Sequence, residues 1–284
     1  MHIGISSMNN LHLMRPDTMA RALEERGFES LWIGEHSHIP VNSGSPYPDG
    51  KLPEPYKYMA DSFVSLAVAA AVTKKLVLGT GVTLLLERDV FNLAKEIATL
   101  DQLSGGRLIL GFGVGWNQQE LENVSKVPWK RRYTGMKDCV GALKALWTQD
   151  EAAYEGEFYR FGKVWSFPKP LQMPHPPIHL GVAGRTGIAH AAEWADGWMP
   201  IDLGVKDYAP RLEIFRQQLR DHGRDPAKVP VSISTMTLDA DKFKRYRDLG
   251  IDRAMINISL LGGDSEASIL KVLDSLAKVI PQVA

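Results

Sequence analysis

The sequence predicts a (β/α)8 TIM barrel, a single domain over residues 1–284 with a small insertion segment near 153–177. Three observations carry that prediction. Apolar, strand-like segments alternate with helix-like segments along the whole chain, the pattern of a parallel sheet wrapped by helices. There are eight such strands, the number that closes a barrel, and 284 residues is an ordinary barrel length. No low-complexity tract, short repeat or break in composition marks a second domain. A doubly wound open sheet is the alternative arrangement of the same elements.

Taken in order, the first strand is 2–7 and the first helix 16–26, with Pro16 suited to a first turn and Gly27 to a stop. The second strand, 28–34, runs into a long Pro/Gly/Ser loop at 35–58 that includes Pro46, Pro48, Pro53 and Pro55. A loop of that length in a compact domain is usually functional or disordered. Asp61 is placed to cap a helix ending near Thr73. The third strand is 76–82, followed by a helix at 92–103. The fourth, 107–116, is short, apolar and bounded by turn signals. A helix at 132–148 leads to the insertion, where Tyr154, Phe158, Tyr159 and Phe161 read as a small hairpin. Strands at 178–182, 197–200, 229–234 and 253–258 complete the eight. They alternate with helices at 188–195, 207–222, 242–249 and 265–279.

Three of these strands are thinned on one face. Side chains alternate along a strand, so Gly111, Gly113 and Gly115 share one face of the fourth, Gly79 and Gly81 one face of the third, and Gly181 and Ala183 one face of the fifth. Interior glycine marks a close approach of ligand or backbone. The repetition leads us to expect a floor for a flat ligand.

Composition narrows the function. Lys plus Arg equals Asp plus Glu at 33 each, so no global field draws nucleic acid or an anionic membrane surface. The one cysteine, Cys139, cannot form an internal disulfide. The sequence opens directly on a strand, without a charged-then-apolar leader, and no apolar run approaches a membrane span. The expectation is a soluble cytoplasmic protein acting on a small molecule, with no nucleic-acid or membrane partner.

Two motifs stand where barrel chemistry is done. Glu35-His36-Ser37-His38 follows the second strand, on the catalytic rim of a barrel. His36 suits general acid–base work, with Glu35 available to orient it. A His-x-His metal site would need further ligands that the other strand ends do not offer, so no metal is expected. Ala183-Gly184-Arg185-Thr186 joins the fifth strand to a helix. Free N–H groups, the helix dipole, a hydroxyl and a guanidinium suit a phosphate there, although barrel phosphate sites usually follow the seventh and eighth strands. The series Gly111, Gly113, Gly115 is not a dinucleotide fingerprint, since Trp116 stands where Gly-x-Gly-x-x-Gly needs its third glycine.

Together these segments resemble the bacterial luciferase-like superfamily of flavin and deazaflavin oxidoreductases, and most closely its short branch that uses coenzyme F420. The resemblance rests on the ordered set 28–36, 78–83, 99–107 with 111–115, 176–184 and 195–200. It implies a barrel with an insertion, a homodimer, and hydride transfer between F420 and a small organic substrate. Flavin mononucleotide (FMN) in a monooxygenase is the alternative. A non-catalytic flavin- or deazaflavin-binding protein and a metal-dependent hydrolase using His36 and His38 are more distant ones. Residue by residue, it places Glu35 and His36 beside the cofactor ring. Thr80, Gly81 and Val82 lie behind it, with a cis Gly81–Val82 peptide. Gly113, Val114 and Gly115 lie near ring and chain, and Ala183, Gly184, Arg185 and Thr186 at the phosphate. Ser6, Trp116 and Asn117 are the candidate substrate contacts. Two departures argue against a sugar phosphate: Trp116-Asn117 stand where some relatives carry a proton-donating glutamate, and Pro40 where they carry an aromatic residue.

Overall fold

A computed structural model describes residues 1–45, 50–261, 263 and 265–283. Pro46 and Pro48 of the long loop lie outside the described residues. The chain runs β1 (His2–Ser7), α1 (Pro16–Glu25), β2 (Ser30–Ile33), α2 (Ser62–Val72), β3 (Val77–Thr80), β4 (Thr83–Leu84), α3 (Val90–Ser104) and β5 (Leu108–Gly113). It continues with α4 (Gln118–Val124), α5 (Arg132–Thr148), β6 (Ala152–Glu155), β7 (Arg160–Val164), β8 (Ile178–Leu180), α6 (Arg185–Trp194) and β9 (Gly197–Trp198). It ends with α7 (Ala209–Asp221), β10 (Ser232–Thr235), α8 (Ala240–Asp248), β11 (Arg253–Asn257), α9 (Glu266–Ala277) and α10 (Ile280–Val283).

Eight strands pair in the order β10-β11-β1-β2-β3-β5-β8-β9, and every pairing is parallel. Isolated parallel bridges Trp198↔Val231 and Ile201↔Ser234 join the last strand to the first, so the sheet is a nearly closed barrel. β4 is a short addition against β5. The expected insertion hairpin is β6–β7, paired antiparallel. One carboxylate fixes it to the barrel's outer layer: Asp138 on α5 accepts from the Tyr154 hydroxyl at 2.8 Å and from the Phe158 and Tyr159 amides at 2.6 and 3.1 Å.

Local chemistry explains the element ends. Asp61, Asp89 and Asn117 accept from the third residue onward at the starts of α2, α3 and α4. α3 stops at Gly105, whose left-handed φ of 69° suits glycine. The main core lies between the barrel and its helices, while a smaller cluster of Trp32, Met199 and Met255, with Val82 and Ile109 against it, fills the barrel interior.

That interior cluster corrects the ligand-floor expectation. A Cβ on Gly79 would meet the Trp32 ring at 2.2 Å. One on Gly111 would meet Thr80 O at 2.0 Å and Met199 Cε at 2.4 Å, and one on Gly113 or Gly181 would meet the Val82 side chain at 2.6 or 2.2 Å. At Gly79, Gly111, Gly113 and Gly181 the missing side chains make room for Trp32, Met199, Val82 and the Thr80 backbone, and that space is already filled.

Candidate active site

The C-terminal strand ends gather the candidate residues. β2 delivers Glu35 and His36 into the loop that follows it, and β5 delivers Gly115, Trp116 and Asn117. His36 is almost enclosed, with 7% of its side chain exposed, and its Nδ1 lies 2.7 Å from Oε2 of Glu120. Glu120 sits on α4 and is 1% exposed. On the other side of the ring, Trp116 donates its indole N–H to His36 Nε2 at 3.3 Å. An indole nitrogen can only donate, so Nε2 presents a lone pair and the proton of the neutral imidazole is on Nδ1, where Glu120 accepts it. Tyr56, from the short helical turn Glu54–Tyr58 of the long loop, completes an aromatic wall. Its ring is 5.3 Å from that of His36 and 6.1 Å from that of Trp116.

Glu35 does not orient His36. Its carboxylate accepts from Arg88 at 2.6 to 3.0 Å, from the Leu84 amide at 3.0 Å and from the Ser62 hydroxyl at 2.8 Å. Arg88 also reaches Asp61 and Glu96. This network ties the loop after β2 to α2 and α3, so Glu35 holds the rim in place. The carboxylate that meets His36 is Glu120, which the sequence reading missed. A signal was present: Asn117-x-x-Glu120 has the spacing of a capping box. Asn117 does accept from the Glu120 amide at 3.3 Å, but the glutamate side chain turns to His36.

The remaining candidates divide. The Gly81–Val82 peptide is cis, as expected. Thr80 is buried and its hydroxyl is engaged by Gly111, donating to the carbonyl and accepting from the amide, both at 2.9 Å. Its side chain therefore stitches β3 to β5 and is not open to a cofactor. Gly113 is covered by Val82, and Val114 packs into the outer core. Gly115, at φ +71°, has nothing nearer to a would-be Cβ than Leu84 Cδ2 at 3.5 Å and Glu87 Oε1 at 3.8 Å. Ser6 pairs in register with Trp32 and Asn257. Buried Thr83 Oγ1, Asn117 Nδ2 and Asn257 Oδ1 lack hydrogen-bond partners among the described residues.

The loop after β8 is more open than expected. α6 starts at Arg185 rather than near 188, with Gly184 as its N-cap and no side chain capping it. Nothing lies within 4 Å of a would-be Cβ on Gly184, and Arg185 and Thr186 are exposed in the first turn. Beside it, Tyr133 Oη is 3.4 Å from a would-be Cβ on Gly187. Arg132 stacks over Trp129 at 4.0 Å and over Tyr133 at 5.1 Å, with its Nε buried and unpartnered.

Among the described residues no cluster of His, Cys, Asp and Glu could hold a metal ion, and no helix is long and apolar enough to cross a membrane. His38 faces Ser37 and Asn123, away from His36.

A family model described as luciferase-like monooxygenase matches residues 7–258. An uncharacterized protein of Mycobacterium tuberculosis is 36% identical over 278 residues, covering 96% of this chain and 97% of the relative. Among solved structures, an F420-dependent secondary alcohol dehydrogenase in complex with an F420–acetone adduct aligns with TM-score 0.78 at 18% identity, over 100% of this chain and 99% of that one. A monooxygenase from Streptomyces bottropensis aligns with TM-score 0.76 at 19% identity, over the whole of both chains. At these identities the two structures share the fold with this chain.

Proposed function

This chain belongs to the luciferase-like monooxygenase family, and from that premise we propose that it is an oxidoreductase that transfers hydride between coenzyme F420 and a small organic substrate. The observation that carries the reading is the polarised His36: Glu120 on Nδ1, a lone pair on Nε2, and an aromatic wall of Trp116 and Tyr56 around it. A substrate hydroxyl that displaces the Trp116 indole would donate to Nε2, and a substrate carbonyl would accept from Nε2 once His36 is protonated. Glu120 would hold the imidazolium formed when Nε2 takes a proton, and a protonated His36 could return it. The aromatic wall would keep water from that exchange.

The residues present fit such a cofactor. Its phosphate suits the uncapped start of α6, where Gly184 leaves open space and free N–H groups, and where Arg185 and Thr186 add a charge and a hydroxyl. The unpartnered Thr83, Asn117 and Asn257 atoms at the mouth suit a polar ring edge. When bound, the deazaflavin would supply the hydride chemistry that no side chain here can. The exposed Lys130 lies in the turn just before α5, which packs next to α6, and suits an acidic tail; its neighbour Arg131 is paired with Glu157 at 2.7 Å. That is the feature favouring F420 over FMN, since the α6 start accepts either phosphate.

A side-by-side binding titration tests the assignment. F420 is expected to bind at least about tenfold more tightly than FMN, a gap of about 1.4 kcal/mol. The preference should shrink as salt screens the rim charges. Tighter FMN binding with oxygen-dependent turnover would replace this reading with an FMN monooxygenase.

A further inference from the structure

Behind Glu120 stands a second carboxyl group, the half-buried Glu87, that the reading above does not use. We propose that Glu87 and Glu120 hold one proton between them, and that Glu87 thereby positions Glu120 on His36 and sets the upper pH limit of proton handling at the barrel mouth. The proposal rests on the reading above for the reaction it serves, though not for the shared proton itself.

Geometry and valence carry it. Glu87 lies in the turn Leu85–Glu87 after β4, which packs against α4, so that the Glu120 charge bears on it. Glu120 uses Oε2 on His36, while its Oε1, like Oε2 of Glu87, is buried with no hydrogen-bond partner among the described residues. Ionised carboxylates only accept, so two of them in buried contact lack a hydrogen between them and repel. One proton removes both problems. A neutral Glu87 donates its O–H to Glu120, and Glu120 stays anionic and accepts the Nδ1–H of His36. The string then runs from the Glu87 hydroxyl through the Glu120 carboxylate to the His36 ring and its Nε2 lone pair, with every contact satisfied.

The surroundings favour this state. Glu120 faces Glu87 from α4, and Glu35 from the end of β2. Ser37 faces it from the loop after β2, and Gly115 leaves room from the loop after β5. The adjacent Arg88 spends its guanidinium on Glu35, Asp61 and Glu96. Burial first, then the Glu120 and Glu35 charges, push the Glu87 carboxyl up to about 8, against the Ser37 hydroxyl, which works the other way. Above that pH a second negative charge would force Glu120 away from its place on His36.

Infrared titration of the cofactor-free protein tests the shared proton. The wild type is expected to show a carboxylic-acid carbonyl band that disappears as pH rises through about 8. Glu87→Gln, which keeps the shape and cannot ionise, should lack that component. A wild type with no acid band above about pH 6, or a band that survives in Glu87→Gln, would overturn the proposal. Because no cofactor is present, this result stands whichever cofactor the protein uses. The turnover profile tests the positioning role. The alkaline fall in kcat should move upward by about one pH unit or more in Glu87→Gln, because the ionisation that causes it is gone. An unmoved fall would refute the link from Glu87 to His36.

Discussion

Among the described residues, the side chains of His36 and His179 are both nearly enclosed, and they are enclosed differently. His36 sits at the C-terminal mouth with a partner on each nitrogen, a carboxylate on one and an indole on the other. His179 lies on β8 with its ring centroid 6.5 Å from that of Trp32, and only 2% of the residue is exposed. A Cβ on Gly197 would meet its ring at 2.5 Å, so the next strand is a glycine to admit it. Its Nδ1 has no partner among the described residues. Burial first, then the nearby Arg253 charge, push it down to about 4, although Asp196 and Glu29 pull the other way. Burial with a cation nearby thus leaves His179 a neutral packing group. His36 instead has a carboxylate on one nitrogen, the arrangement on which the proposed proton exchange rests.

The sharpest test of that contrast is truncation at the mouth. His36→Ala should lower turnover by about 10²-fold or more, the usual scale of a positioned acid–base group, with a smaller effect on cofactor affinity. Steady-state rates beside a binding titration would separate the two effects. An unchanged rate would make His36 as structural as His179. His38→Ala should be mild, because His38 faces Ser37 and Asn123.

The interior histidine should instead reveal itself in stability. Between about pH 4, where His179 titrates in the fold, and its ordinary 6.5, the unfolded chain carries a proton there that the folded chain lacks. Stability at that site therefore rises with pH through the window and falls as the solution is acidified. Urea unfolding at several pH values should show that dependence weakened by about 2–3 kcal/mol in His179→Gln. Glu87 has the opposite sign. Its folded state holds a proton from 4.5 up to about 8, so its contribution is complete at low pH and is lost as pH rises through that window. The two slopes oppose each other near pH 5–6, so single variants are needed to resolve them.

The same contrast marks what could be read from the sequence. The eight strands and most of the helices were legible because period-two and 3.6-residue patterns are local. The place of His36 was legible because it follows directly on a strand whose end is fixed by local pattern. Glu120 was not, since α4 is only Gln118–Val124 and its carboxylate turns away from the cap that its spacing suggests. Nor was the use of the glycines. Sequence can say that Gly111, Gly113 and Gly181 leave space, but only three-dimensional placement of Val82 and Met199 says what fills it. Glu35 was misread for a related reason: its partner Arg88 is 53 residues away, and adjacency to His36 was the only visible cue.

The smallest expected effect belongs to the most exposed part of the site. Arg185 stands in solvent at the first turn of α6 and makes no hydrogen bond or ion pair among the described residues. A guanidinium there gains little in the free protein and can gain a charge-assisted hydrogen bond only when a phosphate arrives. Such a bond is worth about 1.5–3 kcal/mol at most, and less where water screens it. Arg185→Ala should therefore weaken binding of the whole cofactor by a few-fold to tens of fold. It should leave binding of a phosphate-free fragment almost unchanged, and thermal stability should not move, because nothing in the fold leans on the side chain. Calorimetric titration of the two ligands against wild type and variant gives the four affinities needed. Equal losses for fragment and whole cofactor would mean that the phosphate binds elsewhere. The uncapped helix start would then be an ordinary turn, and the open end of the barrel would owe its ligand preference to the His36 side alone.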